Sequence, residues 1–149
     1  MTTSPAFSYA HTVETDVPAA AIWALYEDVR TWPLWDDQAE AVTRDGPFAA
    51  GTTGTMTFTG QGPLAYRLVR VEPEREFVDE TPVGELVVTV SHLLEPTAGG
   101  LRVTYAARID GPARPAREVG PLITADFPRT MAALIARAGQ RSAAGPGPA

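Results

Sequence analysis

From Ala113 to about Gly139 the apolar residues Val119, Ile123, Phe127, Met131, Leu134 and Ala138 recur three and four apart. That is the period of one helix face, and nothing else in the chain sustains it for so long. Gly120-Pro121 is expected to break or kink the start of this helix. Pro128 falls inside it, where it removes one backbone hydrogen bond. The segments before it alternate with a period of two, so a sheet precedes a helix. A sheet with one apolar face needs a cover, and this helix is the only element large enough to supply it.

The preceding segments read as follows. "FSYAHTVET" (7–15) is a strand. "VPAAAIWALYEDV" (17–29) is an amphipathic helix with Ile22, Leu25, Tyr26 and Val29 on its apolar face. Pro18 suits its first turn, and Asp16 suits the positive end of its dipole. "RTWPLW" (30–35) reads as a second short helix broken by Pro33. Six strand-like stretches follow, separated by turn signals such as Asp45-Gly46-Pro47, Gly60-Gln61-Gly62-Pro63 and Thr97-Ala98-Gly99-Gly100. One of them, "REFVDET" (75–81), is expected to stop at Pro82. The fold class is therefore α+β: an antiparallel sheet of about seven strands, two short helices after the first strand, and a long C-terminal helix. Short connections make a meander the economical topology. The chain has 149 residues, which is the length of one domain. We assign it to residues 1–141 and expect "SAAGPGPA" (142–149) to be a disordered tail, because it has no apolar anchor.

Composition excludes several functions. There is no cysteine, hence no disulfide or thiol chemistry, and a reducing cytoplasm is the expected location. Two histidines without metal-ligand spacing argue against a transition-metal site, and no cofactor is implied. Lysine is missing and the net charge is −6, so nucleic acid is not an expected partner. No apolar run reaches the ~20 residues of a membrane span. The glycine pairs in "GTTG" and "TAGG" lack the strand-to-helix context of a phosphate cradle, and no serine sits in a Gly-x-Ser-x-Gly turn.

What remains is a small-molecule pocket. In "ELVVTVSHLLEP" the two-residue period puts Leu86, Val88, Val90, His92 and Leu94 on one face. That face is apolar except at His92. By the same rule Met56 and Phe58 share a face, as do Tyr66 and Leu68, and Tyr105 lies with Val103, Ala107 and Ile109. From these faces Met56, Phe58, Tyr66, Leu68, Val90, His92 and Tyr105, with Phe127 and Met131 of the terminal helix and Trp35, are the candidate ligand-binding residues. A mostly apolar wall with few polar groups is the usual form of such a site. His92 is the best candidate for proton transfer, although a neutral core histidine explains it as well. Trp32 and Trp35 are read chiefly as a plug at one end of the core. Trp23 lies off the main apolar face of its helix and is expected under a loop. Asp36 and Asp37 are expected to cap or solvate their segment, and Asp126 to pair with Arg129.

The order of elements and the segments "VPAAAIWALYEDVRTWPLWD", "DGPFAAGTTGTM", "VEPEREFVDET" and "HLLEPTAGGLRVTY" resemble the START-like helix-grip superfamily. It holds the START domains, the birch-pollen-allergen-like proteins and the polyketide cyclase/dehydrase proteins, and the resemblance is closest to the last, bacterial, branch. It spans about Val13 to Gly139. It implies a strongly curved sheet gripping the C-terminal helix, with an apolar cavity of several hundred Å³ between them. It does not imply one function. Three remain open: binding of a small apolar or aromatic molecule, a cyclase/dehydrase-type enzyme using the same cavity, and a partner-binding module like the family's chaperone-activator relatives. The apolar faces favour binding, by a monomer or weak dimer.

Overall fold

A computed structural model describes residues 4–144, with side chains through Gln140. Strand β1 (Phe7–Thr15) leads into helix α1 (Ala19–Glu27). A single 3-10 turn (Val29–Thr31) joins α1 to the one-turn helix α2 (Trp32–Trp35). Six strands follow: β2 (Ala39–Arg44), β3 (Thr53–Phe58), β4 (Pro63–Glu72), β5 (Glu76–Val83), β6 (Leu86–Thr97) and β7 (Gly100–Asp110). Helices α3 (Ala113–Thr124) and α4 (Phe127–Ala144) end the chain. The seven strands form one antiparallel sheet in the order β1-β7-β6-β5-β4-β3-β2. This is the expected meander with β1 added beside β7, and the sheet curves around the long C-terminal helix. Register shifts at Ala39/Ala41 and at Leu68/Arg70 mark irregularities that raise the local twist.

The core lies between the concave face and the helices. Leu68, Phe77, Leu94, Val103, Met131, Leu134 and Ala138 are all fully buried there. Ile22, Leu25 and Tyr26 of α1 close one end. Trp23 packs its edge against Phe48 of the β2–β3 loop, with ring centroids 5.7 Å apart. It is therefore both under a loop, as its position on α1 predicts, and part of the core.

Three local expectations change. Pro33 does not break α2 but sits in its first turn, where the missing N–H has no partner to lose. Pro82 does not end β5, because it lies beyond the last β4–β5 pair and faces only Val87 of β6. The C-terminal segment is two helices, not one. The chain breaks at Ala125 and Asp126, so Pro128 falls in the first turn of α4, and it is Pro121 that lies inside a helix. Gly120 faces the Phe7 ring so closely that an added Cβ would overlap it. The backbone of α4 extends into the expected tail as far as Ala144, and the rest of that tail lies outside the described residues. No helix among the described residues is long and apolar enough to cross a membrane.

Candidate functional site

The break between α3 and α4 lies over the concave face of the sheet and leaves a pocket of about 600 Å³ beneath it. Trp32 and Trp35 form one end. Met56, Phe58 and Leu64 come from β3 and β4, and Val88, Val90, His92 and Tyr105 from β6 and β7. Val119, Leu122 and Ile123 of α3, with Phe127, Arg129 and Thr130 of α4, form the roof. Of the ten candidate ligand-binding residues, Trp35, Met56, Phe58, Val90, His92, Tyr105 and Phe127 border this space. Tyr66, Leu68 and Met131 do not: each is packed in the core. Tyr66 spends its hydroxyl on the Thr43 carbonyl at 2.7 Å. Met131 is one turn too far along α4.

The two tryptophans are held by the strain-free turn they belong to. The Trp32 indole N–H donates to the Tyr26 carbonyl at 3.0 Å, and the Trp35 indole N–H donates to the Thr31 hydroxyl at 3.3 Å. Each is buried on all but a small edge. Their role as a plug and their place at the pocket are the same fact.

The pocket wall is more polar than the inward faces promised. Its most consequential member is Asp79, which escapes a reading centred on apolar faces. The signal is present in "REFVDET": Phe77, Asp79 and Thr81 share a face by the period of two, and Phe77 turns that face inward. Asp79 is only 6% exposed. Burial pushes its carboxyl up to about 7. Diagonally opposite it on β6 is His92, whose Nδ1 lies 3.9 Å away. That is too long for a hydrogen bond. His92 instead sets Nδ1 3.3 Å from the Phe77 carbonyl and stacks on the Phe77 ring at 3.9 Å. Burial drives it down to about 3. Both groups are therefore pushed toward their neutral forms, and the pair is not an ion pair at neutral pH.

Beside them, the buried hydroxyls of Tyr26 and Tyr105 find no hydrogen-bond partner, and burial raises both well above the ordinary tyrosine value. At the pocket edge the Asp36, Asp37 and Asp126 carboxyls lie within 4.8 Å of one another. Asp36 caps its own turn by accepting from the Gln38 N–H at 3.0 Å, and burial pushes it up to about 6. Asp37 takes the Arg129 guanidinium at 3.0 Å. The expected Asp126–Arg129 pair is thus replaced by a contact between α4 and the α2–β2 turn, because the helix break points Arg129 back toward Asp37. Asp126 accepts a long hydrogen bond from Thr130 instead.

A search of curated protein sequences finds no match. Among solved structures, norcoclaurine synthase from Thalictrum flavum, in complex with dopamine and hydroxybenzaldehyde, has a TM-score of 0.71 at 19% identity, over 90% of this chain and 86% of that one. The allergen Ara h 8.0201 has 0.72 at 13%, over 91% and 99%. The di-domain aromatase/cyclase StfQ of the steffimycin pathway has 0.76 at 12%, over 91% of this chain but only 51% of that one. Such identities show a shared fold. The family model described as polyketide cyclase/dehydrase and lipid transport matches residues 6–139, and the chain belongs to that family.

Proposed function

We propose that this chain binds a small molecule, largely aromatic or apolar, in the pocket beneath the α3–α4 break. The observation that carries this reading is the pocket itself, about 600 Å³ and walled by Trp35, Met56, Phe58, Val90 and Phe127. That volume lies within the range of small-molecule sites, roughly 300–1,000 Å³. A space lined by rings and aliphatic side chains is filled by matching surface, which gains about 25 cal/mol per Å² removed from water. The test is a titration with a naphthalene-based fluorescent dye, competed by unlabelled naphthalene methanol. Saturable, competitive uptake supports the reading. A dye signal that the competitor does not displace would refute it.

A cyclase/dehydrase-type activity in the same pocket is the second reading, and one observation favours it. A proton-transfer group works best near the operating pH, and Asp79 is poised there, at about 7. His92, driven down to about 3, is a weak candidate for that role. If the pocket is catalytic, a poly-β-keto thioester analogue turns over with a rate that Asp79→Asn lowers by about 10²–10⁴-fold and His92→Gln much less.

A further inference from the structure

We infer that the ligand this pocket takes carries a protonated amine, seated against the Asp79 carboxylate, on an otherwise aromatic or apolar body. The inference rests on the pocket being a ligand site, and it names the chemistry of the ligand. Asp79 sits on β5, a strand paired on both sides, so its backbone is held from two directions. It is 6% exposed and what it exposes faces the pocket. A carboxylate has about four acceptor sites, and among the described residues none is filled. Desolvation is the one influence acting on it.

Among the described residues no cation serves it. The groups that face it are His92 from β6, Tyr66 from β4 and Tyr105 from β7. None is charged at neutral pH: His92 is pushed down to about 3, Tyr66 up to about 12, and Tyr105 well above its ordinary value. The chain has no lysine. Among the described residues, the one arginine that borders the pocket, Arg129, is held by Asp37. The other ionisable groups at the pocket, Asp36 and Asp126, carry the same sign as Asp79. A hydroxyl on the ligand would leave that negative charge uncompensated. An ammonium brings up to three donors and the missing positive charge. Trp35, Tyr105 and Phe127 line the same space, and aromatic rings attract a cation placed over their faces.

The experiment is calorimetric titration of the full chain with 1-naphthylmethylamine and with its uncharged isostere 1-naphthalenemethanol, at pH 8 and pH 5. At pH 8 the amine binds about tenfold or more tightly than the alcohol, the usual scale of a charge-assisted hydrogen bond. At pH 5 the carboxyl is protonated and the preference shrinks, because the amine weakens relative to the alcohol. Asp79→Asn abolishes the preference, so that the two probes then bind alike. Asp36, at about 6, titrates in the same range, so Asp36→Asn must leave the preference in place. Equal affinities for the two probes at pH 8, or a preference that survives Asp79→Asn, would overturn the amine while the pocket reading stands. Binding of neither probe overturns both. Should Asp79→Asn not fold, the pH dependence of the wild type decides: an amine affinity that does not fall at pH 5 overturns the inference.

Discussion

Asp79 and His92 lie side by side in the pocket wall with their pKa values moved in opposite directions, and each leaves a signature in stability. Asp79 has a folded pKa raised to about 7, above the unfolded value of about 3.9. The folded state therefore binds the extra proton. Its contribution is fully present below about pH 4 and is lost as pH rises through 7, an effect on the order of 4 kcal/mol at most. Asp79→Asn, which mimics the protonated form, raises the melting temperature at pH 8 and leaves it near wild type at pH 4. A variant no more stable than wild type at pH 8 would mean that the carboxyl is well solvated. His92 has a folded pKa lowered to about 3, so the unfolded state takes up its proton first and stability falls as pH drops below about 6.5. An NMR titration shows His92 uncharged from pH 8 down to pH 5, and a midpoint near 7 would place it in solvent. Among the tryptophans, Trp32 and Trp35 border the pocket and Trp23 does not. Ligand-induced fluorescence changes diminish in Trp32→Phe and Trp35→Phe and persist in Trp23→Phe. His92 was legible because it interrupts an apolar face. Asp79 was harder to read, because its strand alternates Phe, Asp and Thr with Val and Glu and carries no strong hydrophobic period.

At the scale of elements, the decisive feature is the break between α3 and α4. Sequence periodicity runs through it without a gap, since Ile123, Phe127 and Met131 keep the four-residue spacing of one face. The prolines marked the region but misled about the place. Pro121 lies within α3, at the cost of the bond that an N–H there would make to the Arg117 carbonyl. Pro128 starts α4, a position it favours. The position of α3 depends on Gly120, against which the Phe7 ring of β1 packs. Gly120→Val overpacks that contact and costs about 1–3 kcal/mol. Hydrogen exchange of residues 113–124 then accelerates, and exchange in α4 does not. Uniform acceleration across both helices would show that they move as one unit. The strands were more legible, because alternation is a local property of the sequence. Their burial follows it residue by residue in β7 and, except at the pocket-lining Val90, along Leu86–Leu94 of β6.

At the scale of the whole molecule, α4 is the element on which the sheet closes. Leu134 is fully buried among residues of the sheet and α1. Leu134→Asp buries an unpaired carboxylate at a cost of several kcal/mol, against a total stability of about 5–15 kcal/mol. The variant is largely unfolded by circular dichroism at 25 °C, and a normal melt would mean that α4 is not the cover. The element types, the antiparallel meander, the need for a terminal helical cover and six apolar or aromatic residues that border the pocket (Trp35, Met56, Phe58, Val90, Tyr105 and Phe127) are legible in the sequence alone. These follow from periodicity and turn chemistry, which act within a few residues. Only the tertiary structure decided where the terminal helix divides, that Met131 and Tyr66 belong to the core while Asp79 belongs to the pocket, and that Arg129 serves Asp37 and not Asp126. Those outcomes depend on which side chains from distant segments share one space. Desolvation and charge pairing there are set by neighbours up to 92 residues apart in sequence, which no local pattern records.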